Sequence, residues 1–450
     1  MRSIKRVWPD FRIMWQDGEQ RKSLLFILNG VFINAALVLT SGMFLSGYIV
    51  FLGGSDFLVG LMNNAMNWAA IAGLFAYLLY ERMAQRKKLL IVLLLLSRFL
   101  VCGVVYLPLL FGTGQLTLTL LTVMVVSGNT IWGIFSIGFS IWMINSFPPG
   151  ARNTFIFKRT FWLRISFTLA NISMGFVLDW SGKSYTGFLI VFTVSLILSL
   201  ADAAVLIGLK EPDYGVESGS RFSLTTFFEP MRNKPYLRLM LFIFLYYSSL
   251  TISSSFTSLY LVRYLELDYK LISFVTVIAN LFMIICIHMW RQAVGRIGLM
   301  RALKLTGFLA AMEFLIYAFL TRDSLFLLAL APVLAGAGNS GFNIFIMNYR
   351  YDLMPEKNRT LYEGWYGALF GLSLLVGPMV GNAVMNRLPV LENNLIQHSR
   401  FQLLYLISLA LALPIILLSF RDRGQEPGSG MKIPIPTDMT AQQEGGSHAD

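Results

Sequence analysis

Twelve apolar runs, each of 20 residues or more, leave this 450-residue chain few ways to fold. They fall at 23–51, 57–80, 89–111, 116–145, 160–180, 186–208, 237–262, 270–290, 301–320, 324–348, 362–385 and 401–420. A helix of about 20 residues crosses ~30 Å of hydrocarbon. Within lipid every backbone polar group must be bonded internally, which leaves helices or closed barrels. A barrel would repeat alternating segments of ~10 residues, and none recur. Hydrophobic residues make up 56% of the chain and charged ones only 13%, about half the share of a soluble domain, where roughly a quarter is usual. The reading is an all-α membrane protein with twelve transmembrane helices, called spans one to twelve below.

The charges decide its orientation. Between spans two and three the chain reads YERMAQRKK (80–88), a polar island carrying Arg82, Arg86, Lys87 and Lys88. At the ends of the chain and at or beside the even-numbered connections lie 28 Lys and Arg, against six at the odd-numbered ones. Such asymmetry places the basic connections, and both termini, in the cytoplasm. The net charge of +12 is thereby a topological pin facing anionic lipid, with no call for nucleic acid. The first apolar stretch is too long for a cleaved signal, so it is expected to be retained. The implied location is the plasma (inner) membrane.

The longest interior connection, 209–236, separates six spans from six. The organisation expected is a cytoplasmic segment (1–22), two six-helix bundles (23–208 and 237–420) joined by that loop, and a polar tail (421–450). The halves carry matching marks. PPGARN (148–153) after span four pairs with PEKNRT (355–360) after span ten, and ERMA (81–84) pairs with GRIG (295–298). The offsets of 207 and 214 residues keep the halves in register, as internal duplication requires. The two cysteines, Cys102 and Cys286, and three scattered histidines suggest no disulfide framework, metal site or cofactor. No nucleophile–base pair is visible, so no enzyme is expected.

Twelve spans, inside termini and these repeats resemble the major facilitator superfamily over residues 20 to 420. Its signature in the turn after span two is a Gly-x-x-x-Asp-Arg-x-Gly-Arg-Arg-like run. Glu81-Arg82-Met83-Ala84-Gln85-Arg86-Lys87 is similar to its core, departing at Tyr77, Glu81 and Ala84, while Arg296 and Gly298 match in the second copy. The resemblance implies two pseudo-symmetric bundles and a cytoplasmic gate built from Glu81, Arg82, Arg86 and Arg296. An acid near a helix N-terminus is favoured by ~0.3–1 kcal/mol, and arginine forks bond carboxylates or carbonyls. The same residues also serve simply to fix topology.

Ionisable residues inside spans are costly and commonly functional. Arg98 and Asp202 lie nine and six residues from the cytoplasmic ends of spans three and six, depths of roughly 14 and 9 Å at 1.5 Å per residue. Their opposite charge suggests a salt bridge, either structural or proton-coupling. Glu313, near the middle of span nine, has no evident partner; a lone carboxyl there favours its neutral form, as a proton carrier or as a hydrogen-bond donor to a neighbouring helix. Arg164, four residues into span five, can snorkel to the cytoplasm.

In the superfamily that the chain resembles, substrate contacts come mainly from spans one, four, seven and ten. On those spans stand Asn34; Asn129 and Trp132; Tyr247, Thr251 and Ser254; and Asn339 and Asn343, each set at helical spacing. Polar, uncharged and aromatic groups suit a neutral or weakly charged organic solute, and equally act as interhelical ties. Gly377-Pro378-Met379-Val380-Gly381 resembles an antiporter motif that belongs in span five, and close packing with a kink accounts for it as well. The function implied is secondary active transport of a small organic solute by alternating access, with protons or another ion as a coupling partner, membrane lipids around it and a monomeric state. The rival is a non-transporting solute sensor or a lipid-translocating protein of the same fold.

Overall fold

The computed structural model describes residues 18–80, 83, 85–147, 149–212, 227–355, 359–390 and 399–419. Most of the N-terminal segment, half of the central loop, the tail, and Glu81 and Arg82 therefore lie outside the described residues. Every regular element among the described residues is helical. Among the described residues, ten helices are long and apolar enough to cross a bilayer. The other two expected spans are helical as well, and each has a reason for failing that measure. Leu299–Ala318 is 20 residues long but carries Arg301, Lys304 and Glu313. Span two is broken into Asp56–Asn63, Ala65–Trp68, the 3₁₀ turn Ala69–Ala72 and Gly73–Tyr80. Asparagine side chains compete with helical backbone bonding, and Asn64 sits at the first break with its amide donated across to Ser255 Oγ at 2.7 Å.

Span one is also discontinuous. Gly18–Leu39 ends at Thr40–Ser41, and Gly42–Phe51 restarts after it. Ser41 is extended (φ −142°, ψ −177°) and Gly42 lies in the left-handed region at φ +53°, which glycine enters without a Cβ penalty. The hydroxyls of Thr40 and Ser41 bond back to Ala36 O at 3.1 Å and Leu37 O at 2.8 Å.

The packing of the two halves is the same. Span one packs on five and six, span three on four and six, and span two on four. Six spans later, seven packs on eleven and twelve, nine on ten and twelve, and eight on ten. Between halves, span five meets eight and span two meets eleven, contacts that exchange with each other under that same correspondence. Small residues allow the approach. A Cβ on Gly175 would come 2.5 Å from Ser273 Oγ of span eight, and one on Gly371 would come 3.2 Å from Asn67 O of span two. Gly377 and Gly381 face Thr251 and the Ile252 carbonyl of span seven, so the Gly-Pro-x-x-Gly run is here a close-packing surface.

Candidate functional site

Where spans one to four converge, the broken span leaves a small cleft, with about 10 Å³ open to a water-sized sphere. Thr40, Ser41, Asn63, Arg98 and Asn129 supply its polar lining, with Met62 and Met66 beside them. Arg98 is 1% exposed. Its guanidinium lies over the Trp132 ring at 4.7 Å, a cation–π placement, and Nη2 donates to Ser97 Oγ at 2.9 Å, while Nε has no partner. Asn129 donates to Val125 O of its own helix at 2.9 Å.

The ion pair expected between Arg98 and Asp202 is not formed. Asp202, fully buried, accepts instead from the Asn29 amide of span one, and its other oxygen is unpartnered. Similar depth brings the two charges near one another, but Arg98 is engaged by the tryptophan face and Ser97, and Asp202 by span one. Arg164 does not snorkel either: Nη1 donates to Asn280 Oδ1 of span eight at 2.9 Å, tying the halves together. Glu313, half-buried, has no hydrogen bond or ion pair among the described residues.

The remaining candidates divide. Asn34 donates to Leu163 O of span five at 2.8 Å. Tyr247 meets Phe370 edge-on at 4.7 Å, and Thr251 Oγ1 donates to Tyr247 O at 2.7 Å and approaches Ser373 O at 3.2 Å, so both face span eleven. Ser254 and Asn339 are half-buried and Asn343 is exposed, without a hydrogen bond among the described residues. Only Asn129 and Trp132 are thus brought together, around Arg98. Of the gate residues, Arg86 donates from Nε to Met83 O at 3.1 Å, and the Arg86 and Lys87 amides reach Glu211 at 2.5 and 3.0 Å. Arg296 is exposed at the end of Tyr269–Ile297.

A second polar system was not anticipated. On the face opposite the basic connections, the two halves are clasped. Asp56 at the start of span two accepts from Arg263 Nη1 at 2.8 Å and Tyr264 Oη at 2.5 Å. Asp179 at the end of span five accepts the amides of Tyr269 (2.9 Å) and Lys270 (2.8 Å), the first turn of span eight. A carboxylate satisfies there the orphan donors and the positive end of a helix. Asn63 adds a bond to Ser255 O at 3.2 Å. Their location in short connections hid these acids, because a charge beside a span end is normally just solvated. Near the other face, Arg350 pairs with Glu363 at 3.1 Å and covers the Tyr366 ring at 3.8 Å.

A family model described as Major Facilitator Superfamily matches residues 239–441. The tetracycline resistance protein, class H, of Pasteurella multocida is 38% identical over 73 residues, which is 16% of this chain and only 17% of that relative. Among solved structures, the nucleoside transporter NupG is similar with a TM-score of 0.64 at 16% identity, covering 88% of this chain and 98% of that one. A D-xylose-proton symporter gives 0.66 at 14% identity, over 89% and 96%. A bacterial homologue of the iron transporter ferroportin, in an inward-facing state, gives 0.63 at 15%, over 90% and 98%. The Major Facilitator Superfamily model thus matches the second half of the chain, and the chain shares the fold of these solved transporters along most of its length.

Proposed function

We propose that the protein is a secondary transporter of a small organic solute, working by rocking residues 23–208 against 237–420 in the plasma membrane. Solved proteins of the same fold include carriers of nucleosides and of xylose with protons. The observation that carries the reading is the clasp at one end of the halves, made of Asp56, Asp179, Arg263 and two backbone amides. Water can replace each of these bonds, so the closed and parted arrangements differ by little, as two interconverting states require. With the basic face cytoplasmic, this clasp would close the exterior end. Glu81, Arg82, Arg86 and Arg296 would form the opposing cytoplasmic gate, and Glu313 is the candidate for proton coupling because it lacks a fixed partner.

Cysteine accessibility tests this. Leu74, near Gly364 of span eleven, is a reporter for the cytoplasmic end. In Leu74→Cys lacking the native cysteines, neutralising Arg82 and Arg86 to glutamine should raise labelling from the cytoplasm; unchanged labelling refutes the gate. A companion reporter at Ser254 should respond from the exterior in a fraction of molecules. A chain never labelled there would be a static solute sensor, and sided uptake into proteoliposomes would be absent as well.

A further inference from the structure

The cleft beside the break in span one combines features that a neutral solute does not call for. Gly42–Phe51 is a ten-residue helix whose first turn has no side-chain cap, because Ser41 Oγ turns back to Leu37 O. Its free amides carry the positive end of the helix dipole. An added Cβ at Gly42 would meet no atom within 4 Å, and Ser41 beside it lines the cleft. Arg98, 1% exposed, lines the same cleft with Nε unpartnered. The charges around it do not balance. Two guanidiniums, Arg98 and the half-buried Arg159, stand in this bundle near a single carboxylate, Asp202, which is engaged by Asn29. A buried cation without a counterion is expensive unless something compensates it.

We infer that this cleft is a carboxylate subsite. The guanidinium of Arg98 and the uncapped turn at Gly42 would bind the acid group of a small organic solute, with Asn63 and Asn129 as further donors. A carboxylate matches the guanidinium fork in a bidentate way that a spherical ion does not. The cleft has about 10 Å³ open to a water-sized sphere, about the space of one water, so in this state it takes at most an acid oxygen while the rest of the solute extends beyond it. The inference deepens the transport reading by naming a substrate class, yet binding can be measured without flux, so each can fail alone.

Trp132 is a built-in reporter, since a carboxylate draws Arg98 away from its ring. Purified full-length protein in lipid nanodiscs is titrated with sodium acetate, acetamide and sodium chloride at constant ionic strength, following tryptophan emission. Acetate should produce a saturable change that acetamide and chloride do not, and Trp132→Phe should abolish the signal. Arg98→Lys should weaken acetate binding about tenfold and Arg98→Gln remove it. Should those variants misfold, Asn129→Asp supplies a tethered acid to the same cleft, and it should abolish acetate binding while raising Tm. An equal response to acetamide or chloride, no saturable change in the wild type, or undiminished acetate binding in a folded Asn129→Asp protein overturns the assignment.

Discussion

Replacing Asp179 by asparagine isolates the clasp opposite the basic connections. The aspartate accepts two backbone amides of the first turn of span eight, at 2.9 and 2.8 Å. A charge-assisted bond contributes about 1.5–3 kcal/mol net and a neutral one about 1 kcal/mol. Asparagine keeps one acceptor oxygen, so one bond is lost and the other becomes neutral. The interaction with the helix end, about 0.5 kcal/mol, goes too. Asp179 is only half-buried, so water offsets part of this. Taking the low end throughout, the closed state loses about 1.5–2 kcal/mol, roughly a 10- to 30-fold shift towards the open exterior at 1.4 kcal/mol per factor of ten. Spin labels at Gln115 and Phe326, both exposed near that face on opposite halves, read the shift by double electron–electron resonance. The wild type should give one dominant distance, and Asp179→Asn a second population. A folded variant whose distribution moves by less than threefold refutes the clasp argument.

Three further substitutions separate roles. Glu313→Gln keeps shape and hydrogen-bonding capacity but cannot carry a proton: gradient-driven accumulation should disappear while solute exchange at equal pH persists, whereas a structural Glu313 would leave both intact. Gly175→Leu places bulk where a Cβ already comes 2.5 Å from Ser273 Oγ. Overpacking costs ~1–3 kcal/mol, so the five–eight contact should part, lowering Tm by several degrees and lengthening the label distance. Asp202→Ala leaves Asn29 unpaired and Arg98 with one fewer nearby anion, and should cost ~2–4 kcal/mol of stability, read as a fall in the denaturant midpoint.

The membrane class and the helical fold were legible because lipid admits only one economical solution to twelve apolar runs. PPGARN against PEKNRT suggested a duplication, and the packing order of spans one to six does recur in seven to twelve. The breaks were harder to see. Thr40-Ser41-Gly42 interrupts an apolar stretch with three small residues, a combination that also occurs inside continuous transmembrane helices. Only the position of Gly42 at φ +53° distinguishes a break from a weak spot. Side-chain partners were the least legible. Depth along a helix put Arg98 and Asp202 near the same level, but which neighbour each faces depends on rotation, and Asn29 on span one was invisible to a search along spans three and six. Asn34 and Thr251 lie on the expected spans and yet spend their polar groups on helix contacts, while Tyr247 packs its ring against Phe370.

Asn63 belongs to both polar systems: it lines the cleft beside Arg98, and its amide donates across the halves to Ser255 O at 3.2 Å. An acid group entering the cleft competes for that amide, so it interacts differently with the clasped and the parted states. Only such a difference lets a ligand move an equilibrium. A single neutral bond of about 1 kcal/mol sets the scale, a shift of about fivefold. Acetate should therefore lengthen the Gln115–Phe326 label distance in wild-type protein. In Asn63→Leu, which has no amide to contest, acetate should still perturb Trp132 emission but leave the distance distribution where it was. If the wild-type distribution ignores saturating acetate, or if Asn63→Leu responds just as strongly, the cleft and the clasp are independent, and coupling between solute and closure must run through another residue.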